Sequence, residues 1–96
     1  DLIIDANRHL VSKNKETIDL TPSEYYILLK LVEEPQQVLT RQALLDAIPG
    51  DKKNQDIRIV DVHIRNLRKK LSEEENEAGY IETVRGLGYR LKQVPL

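Results

Sequence analysis

Cysteine, methionine, tryptophan and phenylalanine are all missing from this 96-residue chain, and histidine occurs only twice, at His9 and His63. Without thiols there are no disulfides, no cysteine nucleophile and no cysteine-ligated zinc. A reducing compartment is compatible with that composition. His63 as a metal ligand would have His9 as its only histidine partner, with no carboxylate at ligand spacing, so no metal site is expected. No Ser/His/Asp set, no paired carboxylates in a foreseeable pocket and no cofactor motif are found, and a chain this small has little room for a buried cleft. Neither catalysis nor a cofactor is expected. No apolar run approaches the length of a membrane span, and no basic segment followed by an apolar one opens the chain, so no membrane partner is expected either. The first residue is Asp1 rather than Met, which reads as a piece of something longer.

What is present is enough for one modest core, since 40% of the residues are hydrophobic. A single domain over 1–96 is expected. The net charge is only −1, but it is unevenly spread: residues 1–56 carry seven basic and ten acidic side chains, residues 57–96 eight and six. Arg58, Arg65, Arg68, Lys69 and Lys70 face only Asp61 within their segment, and Glu73, Glu74, Glu75 and Glu77 gather in the polar stretch that follows. A local positive field is therefore compatible with a nearly neutral whole.

The N-terminal runs Leu2 to Asp5, Arg8 to Lys13 and Lys15 to Leu20 are β-prone and separated by Ala6-Asn7 and Asn14, which suit tight turns. An antiparallel sheet is predicted. Thr21-Pro22-Ser23-Glu24 reads as a capping box with proline at the first helical position, opening a helix from about Pro22 to Glu34. Its Tyr25, Leu28, Leu29 and Val32 share a face, and Pro35 stops it. A shorter helix is expected from the N-cap Thr40 through Leu44, Leu45 and Ile48 to Pro49-Gly50. The stretch from Asp51 to Asp56 has no apolar residue and reads as an exposed loop.

A third helix, about 57–71, carries two signals. Val60, Ile64, Leu67 and Leu71 make one apolar stripe at helical spacing. Arg58, Arg65 and Lys69 form a basic face on the other side, with Val62 among them. A solvated face has no need of a valine between cations, whereas a helix in a DNA major groove does: cations meet phosphates and a small apolar group meets a thymine methyl. Tyr80 to Arg85 and Tyr89 to Gln93 then read as strands joined by Gly86-Leu87-Gly88, whose glycines permit positive φ. The fold class is α+β: an N-terminal antiparallel sheet, three helices forming a winged helix-turn-helix, and a C-terminal hairpin wing over about 80–93.

The combination of Leu20-Thr21-Pro22-Ser23-Glu24-Tyr25, Val60-Asp61-Val62-His63-Ile64-Arg65, Leu67-Arg68-Lys69-Lys70-Leu71 and Glu82-Thr83-Val84-Arg85-Gly86-Leu87-Gly88-Tyr89-Arg90-Leu91 resembles the DNA-binding effector domain of OmpR/PhoB-type response regulators. The resemblance covers nearly all of the chain. It implies a bacterial, cytoplasmic transcription factor of a two-component system, with a receiver domain absent from this chain, a cognate histidine kinase, and tandem half-sites on double-stranded DNA. The isolated domain is then expected to be monomeric off DNA, and the loop 51–56 stands where this family can touch RNA polymerase. Carried over by position, Arg58, His63, Arg65 and Arg68 match phosphate contacts, with Lys69 beside them, and Ile59, Val62 and Asn66 match positions facing base edges. Thr83 and Tyr89 match backbone contacts, and Arg85 matches the wing arginine that enters the minor groove.

This chain departs from the family pattern at Ile59, where threonine is frequent, at Asn66, where arginine is frequent, at Ile57, where aspartate is common, and at Pro49, where tryptophan usually precedes the glycine. Asn66 suits adenine where arginine prefers guanine, and losing the tryptophan removes a phosphate contact and shortens the second helix. Plainer readings stand beside these. The basic face could be merely solvated, His63 lies beside the buried stripe and could orient rather than bind, and Asp61 would shape the helix surface by pairing with Arg58 or Arg65. Gly86-Leu87-Gly88 is a turn rather than a phosphate loop, because no helix follows it. A protein-interaction module, contacting RNA polymerase or another regulator without specific DNA contacts, is the alternative function. Arg58, Arg65 and Arg85 argue against it, as does the lack of aromatic anchors on the helix's outer face.

Overall fold

A computed structural model describes residues 2–50, 55–71 and 80–92. Three strands, β1 (Leu2–Asp5), β2 (Leu10–Lys13) and β3 (Glu16–Ile18), form an antiparallel sheet in the order β1-β2-β3. The register aligns Ile4, Val11 and Ile18 in one row toward the core, while Ile3, Ser12 and Thr17 line the outer face. Asn14 and Lys15 both take positive φ, 52° and 70°, between paired Lys13 and Glu16, as a two-residue hairpin turn requires. β2 starts at Leu10 rather than Arg8. The reason is local: the Asp5 carboxylate accepts from the backbone N–H groups of Asn7 and Arg8 at 3.1 and 3.2 Å, drawing those residues into the turn.

The first helix, α1, spans Pro22–Glu33 and opens with the full capping box: Thr21 Oγ1 accepts from Glu24 N at 3.2 Å, and Glu24 Oε1 accepts from Thr21 N at 3.0 Å. Its buried face is not quite the predicted one. Glu24, Tyr25, Ile27, Leu28 and Leu31 are buried, whereas Leu29 and Val32 are only half-buried. Because α1 is covered on several sides, by α2 (Arg41–Asp46), α3 (Ile59–Leu71) and the C-terminal strands, its buried arc is wider than a single amphipathic stripe. Thr40 caps α2 by accepting from Ala43 N at 3.1 Å, but the helix ends at Asp46, before the expected stop at Pro49-Gly50.

α3 is preceded by three i to i−3 backbone bonds, from Ile59, Val60 and Asp61 to Asp56, Ile57 and Arg58, so the helix proper begins two residues after Ile57. Val60, Ile64, Leu67 and Leu71 are fully buried, as their spacing predicted. The strands β4 (Ile81–Val84) and β5 (Gly88–Leu91) pair antiparallel around Arg85-Gly86-Leu87, with Leu87 N donating to Val84 O at 3.0 Å. The sheet, three helices and hairpin match the predicted winged helix-turn-helix. The core is built mainly from the helices, joined by Val11 of the N-terminal sheet and by Ile81 and Tyr89 of the hairpin. The expected polar loops over 51–54 and 72–79, with the cluster Glu73 to Glu77, and the wing's last residue Gln93 lie outside the described residues.

Candidate nucleic-acid interface

The wing is docked by backbone as well as side chains. Leu39 N donates to Tyr89 O at 2.7 Å and Tyr89 N to Leu39 O at 2.9 Å, pinning β5 beside the entry to α2. This approach needs glycine at position 88, where a Cβ would stand 2.0 Å from the Leu39 carbonyl oxygen and φ is +152°. Gly86, at φ +76°, meets no such neighbour and serves the turn alone.

Side chains then tie the wing to α3. Arg68 donates through Nη2 to Ile81 O at 3.1 Å and to Thr83 Oγ1 at 2.6 Å, and its guanidinium lies 5.7 Å from the Tyr89 ring centre. Tyr89 is only 6% exposed, and its hydroxyl donates a short hydrogen bond to Asp61 Oδ1. The same Asp61 oxygen accepts from Arg41 Nε at 2.9 Å. Burial pushes the Tyr89 phenol above its ordinary pKa, with the Asp61 carboxylate adding to it, and the same carboxylate raises that of Arg41. Asp61 thus pairs with Arg41 and Tyr89, not with Arg58 or Arg65 as the sequence led us to expect.

The fold also sorts the cations of α3. Arg58 is bound to Asp56, with Nε and Nη2 both on Oδ2 at 3.0 and 2.7 Å and the backbone N–H on Oδ1. Hydrogen bonds from Arg58 hold the Asp56 carboxyl below its ordinary pKa. Lys70 turns inward to Glu24 at 2.6 Å, and Arg90 pairs across the wing with Glu82 at 3.0 Å. Glu24 is 2% exposed; burial alone would raise its pKa, but the hydrogen bonds from Lys70 and Thr21 outweigh that and hold it below the ordinary carboxylate value. Arg65, Lys69 and Arg85 are exposed and have no ion-pair partner among the described residues. Val62 and Ile59 are exposed on the same side of α3, while His63 and Asn66 are half-buried.

Arg41 is the residue the sequence reading missed. It is 49% exposed and lines, with Ile57, Thr83, Arg85 and Leu87, an open groove of about 370 Å³ between α2 and the wing. One signal was available: a cation directly after the N-cap Thr40 opposes the helix dipole, so it needs an anion from elsewhere. Among the described residues, no group of three or more His, Asp or Glu side chains could hold a metal ion, and no helix is long and apolar enough to cross a membrane.

Residues 14–91 match the family model described as "Transcriptional regulatory protein, C terminal". The chain belongs to this family. Within it, the domain is of the OmpR/PhoB response-regulator type, a family of transcriptional regulators. The DNA-binding response regulator MtrA of Mycobacterium tuberculosis is 40% identical over 90 residues, covering 94% of this chain and 40% of that protein. This effector-type domain therefore spans about two fifths of that relative's length. The AdeR DNA-binding domain, solved in complex with an intercistronic region, superposes with a TM-score of 0.83 at 35% identity, covering 97% of this chain and 95% of that one. DrrB of Thermotoga maritima, an OmpR/PhoB homologue, gives a TM-score of 0.84 at 35% identity over 97% of this chain and 42% of its own.

Proposed function

We propose that this domain binds double-stranded DNA sequence-specifically and regulates transcription as the effector part of a two-component response regulator. The observation that carries the reading is that three exposed cations with no ion-pair partner among the described residues, Arg65, Lys69 and Arg85, belong to two elements locked together by Asp61, Tyr89, Arg68 and Thr83. Duplex DNA offers phosphates at two such separated places, beside the major groove and across the adjacent backbone. α3 enters the major groove, with Ile59, Val62 and Asn66 toward base edges and Arg58, His63, Arg65 and Lys69 toward phosphates. Arg68, Thr83 and Tyr89, already bonded or stacked with one another, meet the backbone as one preassembled unit, and Arg85 reaches the minor groove. Arg41 adds a cation where the groove opens between α2 and the wing.

The likeness to MtrA and to the DNA-bound AdeR domain supports this reading, and the family supports a regulator rather than an enzyme. In a longer protein the domain follows a receiver domain served by a histidine kinase, acts in the bacterial cytoplasm, and occupies tandem half-sites; the isolated domain is monomeric off DNA. The segment 51–56, of which Gln55 and Asp56 are described, is the contact offered to RNA polymerase. Titration against salt of a duplex selected by the chain from random DNA tests the reading: with about five or six phosphates neutralised, log K should fall with log salt at a slope of about −5. A slope near zero, or no binding at low salt, would favour a protein-interaction module.

A further inference from the structure

The outer side of α3 carries more than charge. Ile59 is 36% and Val62 51% exposed, on the side away from the buried row of Val60, Ile64, Leu67 and Leu71. Ile59, Val62 and Asn66 stand at i, i+3 and i+7, so they form one narrow strip along the first two turns of the helix, bordered by Arg65 and Lys69. Phosphate binding gives no reason for two branched hydrophobes to stand in water there. A base edge does, because in the major groove only thymine presents a methyl group.

The polar capacity of the strip is equally narrow. Its only hydrogen-bonding side chain is the Asn66 amide, which offers one donor and one acceptor side by side. That pattern complements adenine, with its N6 donor and N7 acceptor, whereas guanine shows two acceptors and calls for the fork of an arginine or a lysine. The guanidinium nearest the start of the strip, Arg58, has its Nε and Nη2 engaged by Asp56. We infer that the recognition helix reads an A·T-rich half-site, with two thymine 5-methyl groups packed on Ile59 and Val62 and an adenine N6/N7 edge bonded by Asn66. This inference rests on the proposed seating of α3 in the major groove.

Selection of the 96-residue chain against random duplex DNA supplies the half-site, which is then rebuilt with each thymine in turn replaced by deoxyuridine, a change that removes only the 5-methyl group. At two thymines the replacement should weaken binding about three- to fivefold, the size expected for taking one methyl out of contact. Ile59→Ala should erase the penalty at one of them and Val62→Ala at the other. Replacing the contacted adenine by 7-deazaadenine should weaken the parent chain and leave Asn66→Ala indifferent. Guanine at the contacted positions, or indifference to deoxyuridine at every thymine, overturns the inference while leaving sequence-specific DNA binding intact. Failure to enrich any duplex removes the underlying reading and the inference with it. The deoxyuridine series uses the unaltered chain, so a misfolded variant cannot produce its result.

Discussion

The N-terminal sheet and the C-terminal hairpin are both antiparallel, yet they are fastened to the helices by different forces. The sheet is held mainly by area: Ile4, Val11 and Ile18 form a row that packs on the core, with a single side-chain tie to α3 from Lys13 Nζ, which donates to Leu71 O at 2.8 Å, and its outer face ends in Ile3, exposed to water. The hairpin also buries Ile81 and Tyr89, but its aim is set by directional bonds: the Leu39 bridge, Arg68 to Ile81 and Thr83, and Tyr89 to Asp61. Apolar contact is tolerant of small rotations, whereas a hydrogen bond weakens steeply off its angle. An element that only has to cover the core is served by the first kind of attachment. One that, under the proposed function, has to hold Arg85 in register with Arg65 and Lys69 needs the second.

The largest break in this comparison should come from Gly88→Ala, which drives a Cβ into the Leu39 carbonyl and strains the backbone at once. A stability loss of about 3 kcal/mol or more is expected in urea denaturation, with DNA binding lost alongside it. Val11→Ala tests the other attachment. It should cost about 2 kcal/mol of stability through the cavity left under the sheet, while the folded variant binds its half-site as the parent does. A Val11→Ala chain that folds but no longer binds DNA would erase the distinction between scaffold and wing.

Glu24 is the polar strut on the scaffold side, and its effect depends on pH. Its folded pKa is lowered, so the ionised form is favoured by folding, and that stabilisation is present above the unfolded-state pKa and lost as pH falls through the folded one. Glu24→Gln keeps the cap but loses the charge pairing with Lys70, and should cost about 1.5 kcal/mol at neutral pH. The gap to the parent should stay constant above about pH 5 and close on acidification, as denaturation at several pH values will reveal. A gap that widened toward acid would contradict the sign.

Asp61→Asn sharpens the comparison with the smallest change. The asparagine oxygen can still accept from Tyr89, but Arg41 loses its counter-ion and the shared anchor is weakened. Specific DNA affinity is expected to fall about five- to tenfold, roughly 1 kcal/mol, with stability changing by less than that. Fluorescence anisotropy and denaturation, measured on the same sample, separate the two. Loss of stability with unchanged affinity would make Asp61 a packing residue only.

The elements that a local pattern specifies were legible. The capping box at Thr21 to Glu24, the N-cap at Thr40, the stripe Val60-Ile64-Leu67-Leu71 and the glycine turn of the wing are all set within a few residues, and each is found where it was read. Two of the misses have a common cause. α1 buries Ile27 and Leu31 because it is covered from several sides, and a one-sided periodicity cannot anticipate that. Asp61 was assigned partners within one helical turn, but it takes them from Arg41, 20 residues earlier, and Tyr89, 28 residues later.

Sequence alone thus determined the order of elements, the apolar face of α3 and the gathering of cations along it, because helix periodicity, capping and charge are properties of neighbouring residues. Which of those cations face outward was decided by tertiary structure: Lys70 turns to Glu24, Arg68 to Ile81 and Thr83, and Arg65 and Lys69 stay exposed with no ion-pair partner among the described residues. The physical reason is that an ion pair or hydrogen bond depends on distances of a few ångströms in space, and the partner acids and carbonyls arrive from α1 and from the wing, 46 and 13 residues away along the chain.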